Sequence, residues 1–203
     1  MEELIQRLDS WLRQNRPDYY KKLLPGLTEL ELTDLEKELG VELPTDFKTF
    51  YRWRNGVAWD ELECIVPNFE WLSNRGLISH QNTMSEADED GTDYFPDWEN
   101  WWGPGWITFL TDGTANYYCL DMEGSFGGKK GQILSIWTDD IHRDIFHESF
   151  FMWLETVIIA LERGLFRGDE DDTRLQEYET YSELEREINP GYPIRHEARF
   201  IGN

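Results

Sequence analysis

The chain has 203 residues and a mass of 24.2 kDa, with 19 Lys and Arg against 41 Asp and Glu, giving a formal net charge of −22. That length suits one domain of ordinary size with appended helices, and aromatics at 15%, ten Trp among them, supply a large core. A field of that sign repels nucleic-acid phosphate and anionic membrane surfaces and attracts basic proteins, or else serves only to keep the chain soluble. The charge is uneven: residues 1–60 carry 9 basic and 12 acidic side chains, the rest 10 and 29. Two cysteines, Cys64 and Cys119, without CxxC spacing, indicate neither a disulfide framework nor a zinc site. The N-terminus MEELIQRLDSWLRQ reads as an amphipathic helix rather than a signal peptide, and no apolar run approaches ~18 residues. A cytoplasmic protein without a membrane span is expected.

Taken in order, Leu4, Ile5, Leu8, Trp11 and Leu12 share one helical face over residues 4–14. Asn15-Arg16-Pro17 breaks it, and a short helix is expected from Asp18 to Leu24. Thr28 and Glu31 form a capping box for a helix carrying Leu32, Leu35 and Leu39, stopped by Gly40. Pro44 then suits the first turn of a further helix with Phe47, Phe50, Tyr51 and Arg54 at helical spacing, ended by Asn55-Gly56. A short strand is expected around Cys64-Ile65-Val66, then a helix over 69–85. Residues 86–100 (EADEDGTDYFPDWEN) read as a loop with seven acids and no base.

Trp106 to Leu110 reads as a strand, Thr111 to Thr114 as a tight turn, and Ala115 to Leu120 as the return strand. A Gly-rich connection, 121–131, leads to the strand Gln132 to Trp137, completing an antiparallel meander. Ser149 to Glu162 is a closing helix with Phe150, Trp153, Leu154, Val157, Ile158 and Leu161 on three- and four-residue steps, capped by Gly164. Residues 173–187 read as an acidic helix ended by Asn189-Pro190-Gly191, and 192–203 as irregular. Phe47, Phe50, Trp106, Tyr117, Phe150 and Leu154 are expected to be buried where helices meet the sheet.

Three stretches occur in a fixed order: EKELG (36–40) followed by LPTDFKTFYRWRNG (43–56), then DGTANYYCLD (112–121) with GKKGQI (128–133), then SFFMWL (149–154). The arrangement resembles the SUKH superfamily, which groups fungal cell-wall assembly regulators with bacterial immunity proteins that neutralise polymorphic toxins. The family's SFxxFL is met here with Trp153 in place of Phe. The resemblance covers about residues 25–165. It implies an α+β fold: N-terminal helices (1–24) leading into the domain, a central twisted antiparallel sheet and long closing helix (25–165), and an acidic C-terminal extension (166–203). It also implies a non-enzymatic role: an immunity protein that binds a cognate toxin, for which a basic nuclease suits the acidic charge, or a regulatory scaffold.

No pattern of residues gives a coherent catalytic or metal site. Glu86, Asp88, Asp90 and Gly91 copy the first positions of an EF-hand loop, but position eight is Asp93 and position twelve is Asp97 where a bidentate Glu is usual. His142 and His147 are five apart, not the i, i+4 spacing of helical zinc motifs. Gly124 to Gly131 has one residue too few for a P-loop and reads as a flexible loop exposing Lys129 and Lys130. A carboxylate-pair enzyme around Asp97, Trp98 and Glu99 is the alternative of another class. No metal or cofactor is expected. The residues assigned to partner binding are Asp88, Asp90, Asp93, Asp97, Trp98, Glu99 and Trp101, where aromatic anchors stand beside same-sign charge. The alternative for the tryptophans is that they cover the sheet, as Trp106 is expected to do.

Overall fold

The computed structural model describes residues 1–58, 64–89, 98–99, 101–114, 116–137, 140–168, 175–177 and 181–200. Four helices come first: α1 (Glu2–Asn15), α2 (Pro17–Lys22), α3 (Glu29–Leu39) and α4 (Thr45–Trp53). The capping box at α3 is formed: the Thr28 hydroxyl accepts from the Glu31 amide at 3.3 Å, and the Glu31 carboxylate accepts from the Thr28 amide at 2.8 Å. Pro44 stands just outside α4 as its N-cap. Gly56 takes a left-handed φ of 65°, and a Cβ there would lie 2.6 Å from the Trp71 carbonyl oxygen. The chain can therefore press against the sheet at that point only because the side chain is missing.

β1 (Cys64–Val66) and β2 (Phe69–Trp71) form a hairpin, and α5 (Asn74–Glu89) follows. The expected helix over 69–85 thus begins five residues later and runs four further. Phe69 and Trp71 are buried while Glu70 between them is half-exposed, a period of two that a three-residue strand displays too briefly to be recognised. The hairpin turn holds Asn68 at φ 64°, a conformation Asn tolerates.

β4 (Trp106–Thr111), β5 (Asn116–Asp121), β6 (Gln132–Trp137) and β7 (Arg143–His147) complete a six-stranded antiparallel sheet of order β1-β2-β4-β5-β6-β7. The two-residue β3 (Trp98–Glu99) lies outside it. The fold is α+β, with helices before the sheet and α6 (Phe150–Glu162) after it. Ser149 caps α6 by accepting from the Met152 amide, and Asp46 of α4 accepts from the Phe151 amide at 3.1 Å. One carboxylate thereby ties the two core helices together at the start of α6, where backbone donors lack intrahelical partners.

Helices and one sheet face enclose the main core. Phe150 lies 5.0 Å from Phe47, 5.2 Å from Phe50 and 5.6 Å from Phe109, centroid to centroid. Trp106 is buried, but on the other face, with Cys119, Leu134, Ile136 and Ile145. Tyr117 is only half-buried there. The expectation that both are buried under α4 and α6 is corrected, because antiparallel alternation sends residues 106, 117 and 119 to the other side, where Tyr117 meets His80 of α5 instead.

After α6 come a hairpin of β8 (Phe166–Gly168) and β9 (Leu175–Glu177), then α7 (Tyr181–Ile188). Leu175, expected at the start of a helix, therefore stands in a strand. Tyr181 and Leu184 of α7 enter the main core, and Asn189 Nδ2 donates to the Thr156 hydroxyl at 2.9 Å. The terminal stretch, expected to be irregular, runs antiparallel along β7, bridging Ile145 to Ile194 and His142 to Glu197. It ends as β10 (Arg199–Phe200), paired with β3. Its mixed residues show no alternation, since an edge segment gains its order from hydrogen bonds to a neighbouring strand.

Candidate partner-binding surface

The described part of the candidate segment meets the sheet at β7, through Trp101. Arg143 anchors it. Its guanidinium is fully buried and 4.4 Å from the centre of the Trp101 ring. Nε donates to the Trp101 carbonyl at 3.1 Å, and Nη1 donates to the carbonyls of Asp140 (2.8 Å) and His142 (2.7 Å). One side chain thus joins the tryptophan segment to the β6–β7 turn. Burial lowers its pKa to about 10, so it remains a cation at neutral pH.

The tryptophans divide. Trp102 is half-buried, 5.8 Å from Trp106 and 5.9 Å from Tyr117. The Trp106 indole donates to the Ser125 hydroxyl at 2.8 Å. Both serve packing. Trp101 is also half-buried, under Arg143. Glu99 is exposed in β3, opposite Arg199 of β10, and Trp98 stands opposite Phe200 in backbone register. Asp88 lies near the end of α5. Asp90, Asp93 and Asp97 lie outside the described residues. Of the assigned residues, Trp98 and Glu99 thus share β3 and Trp101 packs with Arg143.

Sequence reasoning placed Asp144 beside His142 and His147 and gave it no part in partner binding. Its Oδ1 is buried without a hydrogen-bond partner among the described residues, and Arg195 reaches Oδ2 only at 3.8 Å. Burial raises its pKa. The only available signal was a single Asp between Arg143 and Ile145, in a strand the sequence did not announce.

Three motifs acquire structural readings. Glu86 and Asp88 lie in the α5 helix, whereas the first and third EF-hand positions need loop geometry. The loop 124–131 is tied at its start to Asp121. The buried Asp121 carboxylate accepts from the amides of Glu123 (2.8 Å), Gly124 (3.1 Å) and Ser125 (2.7 Å), and from Gln132 Nε2 (2.7 Å). Backbone donors that could cradle a phosphate are therefore engaged by the protein's own carboxylate. His147 is buried, while His142 Nδ1 lies 2.6 Å from Asp140 and Nε2 lies 3.6 Å from Glu197. Among the described residues, no cluster of three His, Cys, Asp or Glu could hold a metal.

A cleft of ≈ 330 Å³ opens between α5, β2 and the β4–β5 turn, lined by residues that include Val57, Glu70, Ser73, His80, Thr111 and Tyr117. The His80 ring packs edge-on to Tyr117 at 4.5 Å, and burial lowers its pKa to about 4. Its nitrogens are sealed from solvent. The cleft therefore presents ring carbon to an incoming group, not a base ready to take a proton. No described helix is long and apolar enough to cross a membrane.

Comparison with known proteins matches this arrangement to a family. Residues 26–156 match the SMI1 / KNR4 family (SUKH-1). The cell wall biosynthesis/cell cycle regulator smi1 of Schizosaccharomyces pombe is 24% identical over 194 residues, covering 86% of this chain and 38% of that protein. A glucan synthesis regulatory protein of Neurospora crassa is 20% identical over 215 residues, covering 84% of this chain and 40% of that protein. The chain thus spans about two-fifths of the length of these relatives. With the match running from the capping box before α3 into the middle of α6, the chain belongs to the SMI1 / KNR4 family (SUKH-1).

Proposed function

We propose that the protein is a non-enzymatic binding domain that captures a basic protein partner through the acidic, tryptophan-bearing segment 88–101. The observation that carries this reading is the net charge of −22, concentrated after residue 60, beside the Trp98-Glu99 and Trp101 segment. Electrostatic attraction steers encounter, and a desolvated aromatic sets lifetime. In one role the partner is a toxin, and the domain blocks it as an immunity protein does. A nuclease fits best, because its phosphate-binding site is basic. The second role, a regulatory scaffold, is favoured by the fungal relatives, named as regulators of cell-wall biosynthesis and of glucan synthesis.

The test is surface-binding kinetics against the purified product of the neighbouring gene at two salt concentrations. Association should slow steeply as ionic strength passes 0.1 M, where the Debye length is ~10 Å. Trp98→Ala should act mainly on dissociation. Salt-independent association with wild-type dissociation would move the interface elsewhere, with the exposed Lys129-Lys130 loop the next face to try. Inhibition of that product's nuclease activity would select the toxin role.

A further inference from the structure

The terminal stretch differs in charge from the region it lies on. Residues 192–200 read YPIRHEARF, with two arginines against one glutamate, in a region from residue 61 onward that carries 10 basic and 29 acidic side chains. It adds a strand to the open edge of β7. The Arg143 amide donates to the His196 carbonyl at 2.8 Å, and the Ile145 amide to the Ile194 carbonyl at 2.9 Å. The Ile194 amide donates back to Ile145 at 2.9 Å, and the Ala198 amide to Ile141 at 2.7 Å. It then pairs with β3, setting Arg199 opposite Glu99.

The hold combines these backbone bonds with a few side-chain contacts, Tyr192 against the Trp106 cluster among them. Ala198 is the only fully buried residue among the described side chains of this stretch, while Ile194 is 41% exposed and Arg195 and Glu197 face solvent. Tyr192 and His196 are half-buried, the latter stacked on Phe126 at 4.4 Å. The fit is also imperfect in charge. Arg195 approaches Asp144 no closer than 3.8 Å, and the other carboxylate oxygen is left without a hydrogen bond among the described residues. Main-chain bonds of this kind can be supplied by any extended peptide, and alternate side chains then decide which is preferred.

We infer that the outer edge of β7, continued by β3, is a strand-accepting site for an extended basic segment of a partner, and that residues 192–200 fill it in cis. This rests on the reading above, that segment 88–101 binds a basic protein, and it supplies the recognition mode. An incoming arginine that meets Asp144 at full hydrogen-bonding distance improves on Arg195. Its approach requires the terminal strand to leave, so apparent affinity is reduced by the fraction of time that the edge is open.

Two measurements on the full chain test this. In native-state hydrogen exchange, the amides of Arg143 and Ile145, whose acceptors lie on the terminal strand, should exchange about tenfold or more faster than those of β5, through local opening. For binding, the probe is a fluorescent nonapeptide copying residues 192–200, with a control in which both arginines are glutamate. Ile194→Pro removes one of the four backbone donors, and this chain should bind the basic peptide about tenfold more tightly than wild type. The glutamate peptide should bind neither. Exchange of the Arg143 and Ile145 amides at the β5 rate, or equal peptide affinity in both chains, overturns the inference. A basic partner that binds with steep salt dependence but is indifferent to Ile194→Pro would remove this inference and leave the functional reading. Peptide exchange at the edge without any basic protein partner would do the reverse.

Discussion

The Asp121 carboxylate, fully buried at the end of β5, accepts a 2.7 Å hydrogen bond from the Gln132 side chain at the start of β6. The two residues are cross-strand neighbours, and the loop between them folds back so that three of its amides meet the same carboxylate. Asp121→Ala would leave those donors without their acceptor in a buried site, a cost on the order of 3 kcal/mol. Asp121→Asn, which keeps one acceptor oxygen, should cost less. Urea unfolding of both variants checks the ordering, and a loss below about 1 kcal/mol for the alanine variant would show that water replaces the carboxylate.

Phe150 is the hub of the main core, within 6 Å of Phe47, Phe50, Phe109 and Trp153. Phe150→Ala should lower stability by about 3–5 kcal/mol, because rings drawn from two helices and a strand cannot all collapse into the space left. Chemical melts measure it.

His80 and His147 are held neutral by burial, with pKa values lowered to about 4 and about 3. In the unfolded chain an imidazole titrates near ~6.5. As pH falls below that value the unfolded state takes up protons that the folded state refuses, so stability declines. Above ~6.5 these two groups add no pH dependence. The urea midpoint should therefore drop between pH 6.5 and about 5, before carboxylates such as Asp9 and Asp112, with pKa values already below the ordinary range, begin to protonate. The drop should shrink in His80→Phe. A midpoint flat across that window in wild type would contradict the neutral assignment.

Calcium added to the protein should produce no saturable heat at micromolar concentration. The carboxylates of an EF-hand converge because its loop curls around the ion, and the backbone at Glu86 and Asp88 is helical instead. A stoichiometric titration abolished by Asp88→Ala would overturn this.

Much of the fold was legible because it is locally encoded. The capping box at Thr28, the apolar stripe of α4, the DG turn after β4 and the periodic face of α6 each act within a few residues, and each formed where expected. The family resemblance was carried by those same local signals. The candidate surface was legible as composition: acids and tryptophans cluster in the sequence whether or not they converge in space. What the sequence alone could not decide was pairing at a distance. The β1–β2 hairpin is too short for its alternation to compete with a helical reading of 69–85. The side of the sheet taken by Trp106 and Tyr117 depends on which face α6 covers. The burial of Arg143, the unpaired carboxylate oxygen of Asp144 and the docking of residues 192–200 along β7 exist only once segments more than forty residues apart in the chain are neighbours. Local propensity is a property of a few adjacent residues. An edge strand gets its order from the partner it meets, and only the tertiary structure supplies that partner.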